Sequence, residues 1–160
     1  MTHWSVSGQF AVRTRARADE AWWRWDQALS HRRLVVLGPL GRVILTMTAD
    51  PGRVRVESGN GQRYTGSRAQ PLVQRLTGWR LPTADLSYWL RGLARPGHPA
   101  RMSSIATHPI LEQDGWQVQF QRYTQVRGLR LPQLLVLTYP DRVDPKVRLR
   151  LLIQRWRIGS

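Results

Sequence analysis

The sequence predicts a mainly β, antiparallel fold on three observations: apolar and polar residues alternate over most of the chain, turn pairs are spaced for a meander, and only two short helical patterns occur, joined at a Gly/Pro corner. Two short helices interrupting a long run of sequential strands make one strongly curved antiparallel sheet, with the helices on its concave side, the economical architecture. The chain of 160 residues is long enough for one sizeable core, and a single domain over 1–160 is expected. No repeat, low-complexity tract or linker divides it.

Over residues 4–15, Val6, Gly8, Phe10 and Val12 share one parity, the mark of a half-buried strand. A second strand is expected at about 20–27, with Trp23 and Trp25 on one face and Trp22 and Arg24 on the other. Residues 33–37 form a third. Gly38-Pro39-Leu40-Gly41 follows as a tight turn, with Pro at its favoured second position and Gly at the fourth. Val43, Leu45 and Met47 then line one face of a fourth strand. Pro51-Gly52 turns the chain into 53–57, and Asn60-Gly61 supplies the pair that best tolerates positive φ in a two-residue hairpin.

Ser67 and Gln70 have capping-box spacing, and Leu72, Val73 and Leu76 make a helical stripe that ends at Gly78, with Pro71 tolerated in the first turn. A second helix starts near Thr83 or Ala84, carries Asp85 at its positive end and stops near Gly92. Residues 94–106, with Pro96, Gly97, His98 and Pro99, read as a loop. Strand patterns resume at 110–113, through Trp116, Val118 and Phe120, through Leu134, Val136 and Thr138, and at 147–158.

The formal net charge of +15 predicts an anionic partner: nucleic acid, a phospholipid or lipopolysaccharide surface, or an acidic protein. Lys146 is the only lysine, so the charge is almost all arginine, which grips phosphate bidentately. An arginine-biased genome accounts for the same excess. Arginines spaced by two, as in Arg13, Arg15 and Arg17 or Arg53 and Arg55, also suit a solvated sheet exterior. Nucleic-acid binding is disfavoured, because the Trp residues fall at buried parity rather than among Arg on a stacking platform. The absence of cysteine removes disulfides, thiolate nucleophiles and Cys-ligated metals. His3, His31, His98 and His108 lack metal-site spacing, and no serine sits in a nucleophile elbow. A turn and a strand end account for Asp26 and for Glu112 with Asp114. Neither an enzyme nor a cofactor or metal is expected. Met1-Thr2-His3-Trp4 runs straight into a strand pattern, without an apolar signal core or a stretch long enough for a bilayer span.

Several patches carry a resemblance in a fixed order: Gly8-Gln9-Phe10-Ala11-Val12, Trp25-Asp26-Gln27, Gly38-Pro39-Leu40-Gly41, Pro51-Gly52, Gly61-Gln62-Arg63-Tyr64-Thr65, Leu131-Pro132 and Arg155-Trp156. The most specific is Thr77-Gly78-Trp79-Arg80-Leu81-Pro82 followed by Leu86-Ser87-Tyr88-Trp89-Leu90-Arg91-Gly92-Leu93. Together they span almost the whole chain, which resembles the LolB family of outer-membrane lipoprotein receptors of Gram-negative bacteria. That resemblance implies an incomplete β-barrel with short helices as a lid over an apolar cavity. It also implies a monomer at the periplasmic face of the outer membrane that takes lipoproteins from the periplasmic carrier LolA, holds their acyl chains and delivers them to the phospholipid of the inner leaflet. The chain departs from the family in lacking the lipobox and anchor cysteine, so a trimmed chain and an unanchored homologue both fit.

Trp23, Trp25, Val43, Leu45, Met47, Val118 and Phe120 at inward parity, with Leu72, Leu76, Leu86, Trp89 and Leu90 on the helices, are the expected acyl-chain lining. The same residues could fill a solid core; the resemblance, with adaptable Met and broad Trp side chains, favours a ligand cavity. A carrier for another small hydrophobic molecule is the alternative. Leu40, between Pro39 and Gly41, occupies a turn position where Asn, Asp, Gly or Ser is usual. Folding back onto the sheet and pointing outward both suit its spacing; it matches the family's protruding loop residue, which implies a membrane-insertion role.

Overall fold

Alternating side chains build eleven strands in the described residues of the computed structural model, which are 1–14, 17–105, 108–139 and 147–159. The strands are β1 (His3–Arg13), β2 (Ala18–Ala28), β3 (His31–Leu37), β4 (Val43–Asp50), β5 (Arg53–Ser58), β6 (Arg63–Gly66), β7 (Ala100–Ile105), β8 (His108–Gln113), β9 (Trp116–Val126), β10 (Leu129–Tyr139) and β11 (Val147–Ile158). Helices α1 (Ala69–Thr77) and α2 (Thr83–Trp89) fall between β6 and β7 in sequence. The strands form one antiparallel sheet in the order β6-β5-β4-β3-β2-β1-β11-β10-β9-β8-β7, with β6 and β7 as edges, so the sheet is not closed. Arg15, Ala106 and Lys146, assigned from sequence to a strand end, a loop and the lone lysine, lie outside the described residues.

The chain gathers into two compact units, and the first comprises 1–9, 21–84 and 154–160. Within it, cross-strand register turns the predicted parity into two apolar rows. Trp23 lies opposite Val36 and Val36 opposite Leu45; Trp25 lies opposite Leu34, Leu34 opposite Met47 and Met47 opposite Val56. All seven side chains are buried. Directly opposed Cβ atoms sit about 5 Å apart, so each row is a continuous strip of packed side chains. Helix α1 lies against β4, β5 and β6, burying Ala69 and Val73 while Leu72 and Leu76 stay half-buried. It begins after Arg68, which is extended and makes no side-chain capping bond, so the expected Ser67–Gln70 capping box is not formed. It ends as expected at Gly78, whose φ of 78° lets its N–H reach the Gln74 carbonyl at 2.7 Å.

The second unit comprises 10–20 and 85–153. Leu111, Val118, Leu137 and Leu149 lie opposite one another in turn across β8, β9, β10 and β11, and Phe120, Leu135 and Leu151 form the next row. All seven are buried. After α2 the chain continues through hydrogen-bonded turns to Gly92, whose φ is 81°. The loop expected over 94–106 is corrected: Ala100–Ile105 is the edge strand β7, pairing with β8 from Ala100↔Gln113 to Ile105↔His108. Residues 100–104 are exposed on both faces, so no apolar alternation marks them as a strand.

Candidate functional site

The turn between β3 and β4 is closed entirely by its neighbours. Gly38 N–H donates to the Arg42 carbonyl at 2.7 Å, Gly41 N–H to Gly38 at 3.2 Å and Arg42 N–H to Pro39 at 3.4 Å. Leu40 is held at φ 63° and ψ 22°, the left-handed region, and its side chain is 105% exposed. A leucine there costs about 1 kcal/mol in backbone strain, and the side chain recovers none of it by burial. Pro39 and Gly41 are exposed with it.

Val43 corrects the expected lining, for it is 40% exposed. Register explains the error: Val36 pairs with Leu45 but Leu37 pairs with Val43, a bulge that inserts Ile44. The extra residue reverses the parity, so Val43 lies opposite Leu37 on the solvent face although it shares odd numbering with Leu45 and Met47. The bulge is clasped from the turn after β5: Gly59 N–H donates to the Ile44 carbonyl at 3.2 Å, and a Cβ on Gly59 would stand 1.9 Å from the Val43 carbonyl oxygen.

Of the remaining expected lining in the first unit, Trp23, Trp25, Leu45 and Met47 come together in the two buried rows, and Leu72 and Leu76 sit half-buried on α1. The indoles are oriented through their polar edge. Trp23 Nε1 donates to the Gln9 carbonyl at 3.1 Å and Trp25 Nε1 to Gln27 Oε1 at 3.0 Å, leaving the ring faces to apolar packing. Six of the eight tryptophans are buried, whereas Trp22 is 46% exposed.

In the second unit, Leu86, Trp89, Leu90, Val118 and Phe120 are all buried. Trp89 is anchored by a residue the sequence reading missed. Gln113 is buried, and its Oε1 accepts from Trp89 Nε1 and from Arg95 N–H, both at 2.8 Å. Its Nε2 donates to the Arg95 carbonyl at 2.8 Å and the His98 carbonyl at 3.1 Å. Every hydrogen-bonding position of the amide is used, so Gln113 fastens the end of α2 to residues 95–98. The signal was available: Gln113 shares parity with Leu111, and a glutamine on an apolar face needs polar partners.

Asp85, in the first turn of α2, pairs with Arg95 at 3.3 Å and is buried. Burial, then the hydrogen bond and charge of Asp114, raise its pKa to about 6 against the opposing pull of Arg95. Burial would also raise Asp114, but hydrogen bonds with His98 and Asp85 and the charges of His98 and Arg95 hold it below the usual carboxylate range. His98 lies 2.8 Å from Asp114, which also bonds Asp85, and His31 lies 2.6 Å from Asp50. No group of three His, Cys, Asp or Glu suited to a metal occurs among the described residues. Asp26 is bound to Arg24 and Glu112 to Arg101.

The family model described as "Outer membrane lipoprotein LolB" matches residues 2–156. The chain belongs to the LolB family. An outer-membrane lipoprotein LolB of Pseudomonas fluorescens is 31% identical over 155 residues, covering 96% of this chain and 73% of that one. The LolB of Nitrosococcus oceani is 31% identical over 159 residues, covering 98% and 77%. In three dimensions the chain is similar to the crystal structure of a LolA superfamily protein from Nitrosomonas europaea, with a TM-score of 0.57 at 10% identity over 99% of this chain and 86% of that one. The chain therefore shares the fold of that protein, and its own family is one of outer-membrane lipoproteins.

Proposed function

We propose that this chain, acting over 1–160 as one lipoprotein-binding domain and without catalysis, accepts lipoproteins from a LolA-type periplasmic carrier. It holds their acyl chains in an apolar cavity and inserts them into the inner leaflet of the outer membrane. Each buried CH₂ contributes about 0.8 kcal/mol, so one long acyl chain left in water costs roughly 10 kcal/mol or more and must be shielded in transit. No phosphate-binding loop occurs in the sequence, so transfer runs downhill between apolar sites. The inward sets receive the chains: Trp23, Trp25, Leu45, Met47, Leu72 and Leu76 in the first unit, and Leu86, Trp89, Leu90, Val118 and Phe120 in the second.

The observation that carries the delivery half of this reading is Leu40, a wholly exposed leucine in a strained turn. Such a residue is expensive for a folded protein in water and useful at a lipid surface, where its side chain enters the acyl region. The test is Leu40→Glu. Acceptance of lipoprotein from the carrier should persist while delivery into phospholipid vesicles is blocked; delivery at the wild-type rate would overturn the reading. Mass spectrometry of protein purified without detergent should find co-bound lipid, and none would argue against the cavity.

A further inference from the structure

Leu40 does not stand alone. The bulge that turns Val43 outward aligns it with Leu37, and Leu37 lies opposite Trp22, so Trp22, Leu37 and Val43 form one row across β2, β3 and β4 on the solvent side of the first unit. Trp22 is 46% and Val43 40% exposed, and Leu37 is half-buried between them. This row lies at the strand ends joined by the Leu40 turn. The next outer rows change character: Arg24 opposes Val35, Val35 opposes Thr46 and Thr46 opposes Glu57, and behind them Asp26, Arg33, Thr48 and Arg55 stand in register. Asp26 and Glu57 are each engaged in an ion pair, with Arg24 and Arg63, and Asp50 is hydrogen-bonded to His31. Arg33, Arg53 and Arg55 are exposed and add positive charge to the same face.

We propose that this outer face of β2, β3 and β4 is a membrane-docking surface, in which Trp22, Leu37 and Val43 extend the contact made by Leu40 and the arginines behind them rest on anionic phospholipid headgroups. The proposal deepens the delivery reading above and rests on it. An indole is apolar in body and polar at its edge, the combination that settles at the boundary between headgroups and acyl chains. A single leucine tip fixes depth but leaves the chain free to tilt. A row across three strands plus the tip defines a plane, and therefore an orientation at the surface. The excess of arginine over unpaired carboxylate on this face suits an anionic lipid surface, which attracts each basic residue near it.

The experiment uses vesicles of phosphatidylethanolamine and phosphatidylglycerol, with and without lipids brominated in the acyl region. Vesicle partition and tryptophan quenching are measured for the wild type, Trp22→Phe, a Trp22→Ser/Val43→Ser double variant, Leu29→Ser and Leu40→Glu. All altered side chains are exposed, and circular dichroism checks each variant's fold. The double variant should partition roughly tenfold more weakly through lost apolar contact, with lipoprotein acceptance unchanged. Leu29→Ser should match the wild type. Quenching by brominated lipid should fall in Trp22→Phe, which reports the indole in the membrane even if the double variant folds poorly. Full partition of the double variant, with undiminished quenching in Trp22→Phe, overturns the docking face while a defect in Leu40→Glu leaves the delivery reading standing. Wild-type protein that neither partitions nor delivers overturns both.

Discussion

Two leucines in the first unit occupy the same unusual backbone conformation and are both exposed, yet their surroundings differ. Leu29, in the turn between β2 and β3, has φ 54° and is 68% exposed; Leu40, at the other end of β3, has φ 63° and is 105% exposed. The seven residues of β3 separate the two turns by on the order of 20 Å. Leu29 is stapled by its backbone: its N–H donates to the Thr2 carbonyl at 2.8 Å and its carbonyl accepts from Gln27 Nε2 at 2.9 Å. Its neighbourhood is polar, with His31, the partner of Asp50, two residues on. Leu40 is flanked by exposed Pro39 and continues into an apolar row of Trp22, Leu37 and Val43. An exposed leucine is thus informative only when its neighbours extend it into a patch; a lone one is ordinary.

The largest effect expected from this contrast is in delivery. Leu40→Glu should block release of lipoprotein into vesicles, whereas Leu29→Glu should deliver at close to the wild-type rate, and equal defects in a transfer assay would erase the distinction. Next comes the clasp that sets the bulge. Gly59→Ala would drive a methyl group against the Val43 carbonyl and should destabilise the fold by about 2 kcal/mol or more in urea unfolding. A weaker effect separates pH from both leucines. Because Asp85 has a pKa raised from 3.8 to about 6, the folded second unit binds the proton more tightly than the unfolded chain. Its share of stability is present below about pH 4 and is lost as pH rises through about 6. Asp85→Asn should therefore gain about 1–2 kcal/mol at pH 7 and little at pH 4, with vesicle partition through Leu40 unaltered. Smallest is Leu40→Gly. It relieves the left-handed strain and should change stability by less than about 1 kcal/mol, in the favourable direction, while weakening delivery.

How much of this was legible follows from where the information resides. The alternation in β1 and β2, the turn glycines and the stripe of α1 are local, and the strands and helices arise where those patterns predict them. β7 was not legible because an edge strand exposed on both faces has no reason to alternate. The outward turn of Val43 was not legible either, since a bulge is fixed by the partner strand and by the Gly59 clasp rather than by β4's own residues. For Leu40 the spacing offered both a folded-back and an outward side chain, and its complete exposure in the folded chain decides between them. Gln113 was legible in principle, as a polar residue at apolar parity, but its partners at 89, 95 and 98 are set by tertiary packing.

Ile44 is one residue more than an even ladder between β3 and β4 requires. Deleting it would restore strict pleating with Val43 still opposite Leu37 and facing water, and would leave the Gly59 clasp without the residue it holds. A length change of one amino acid at this point would thus remove a bend while leaving the flanking side chains on their faces, so divergence among relatives at this hairpin should be sought in gaps as well as in substitutions.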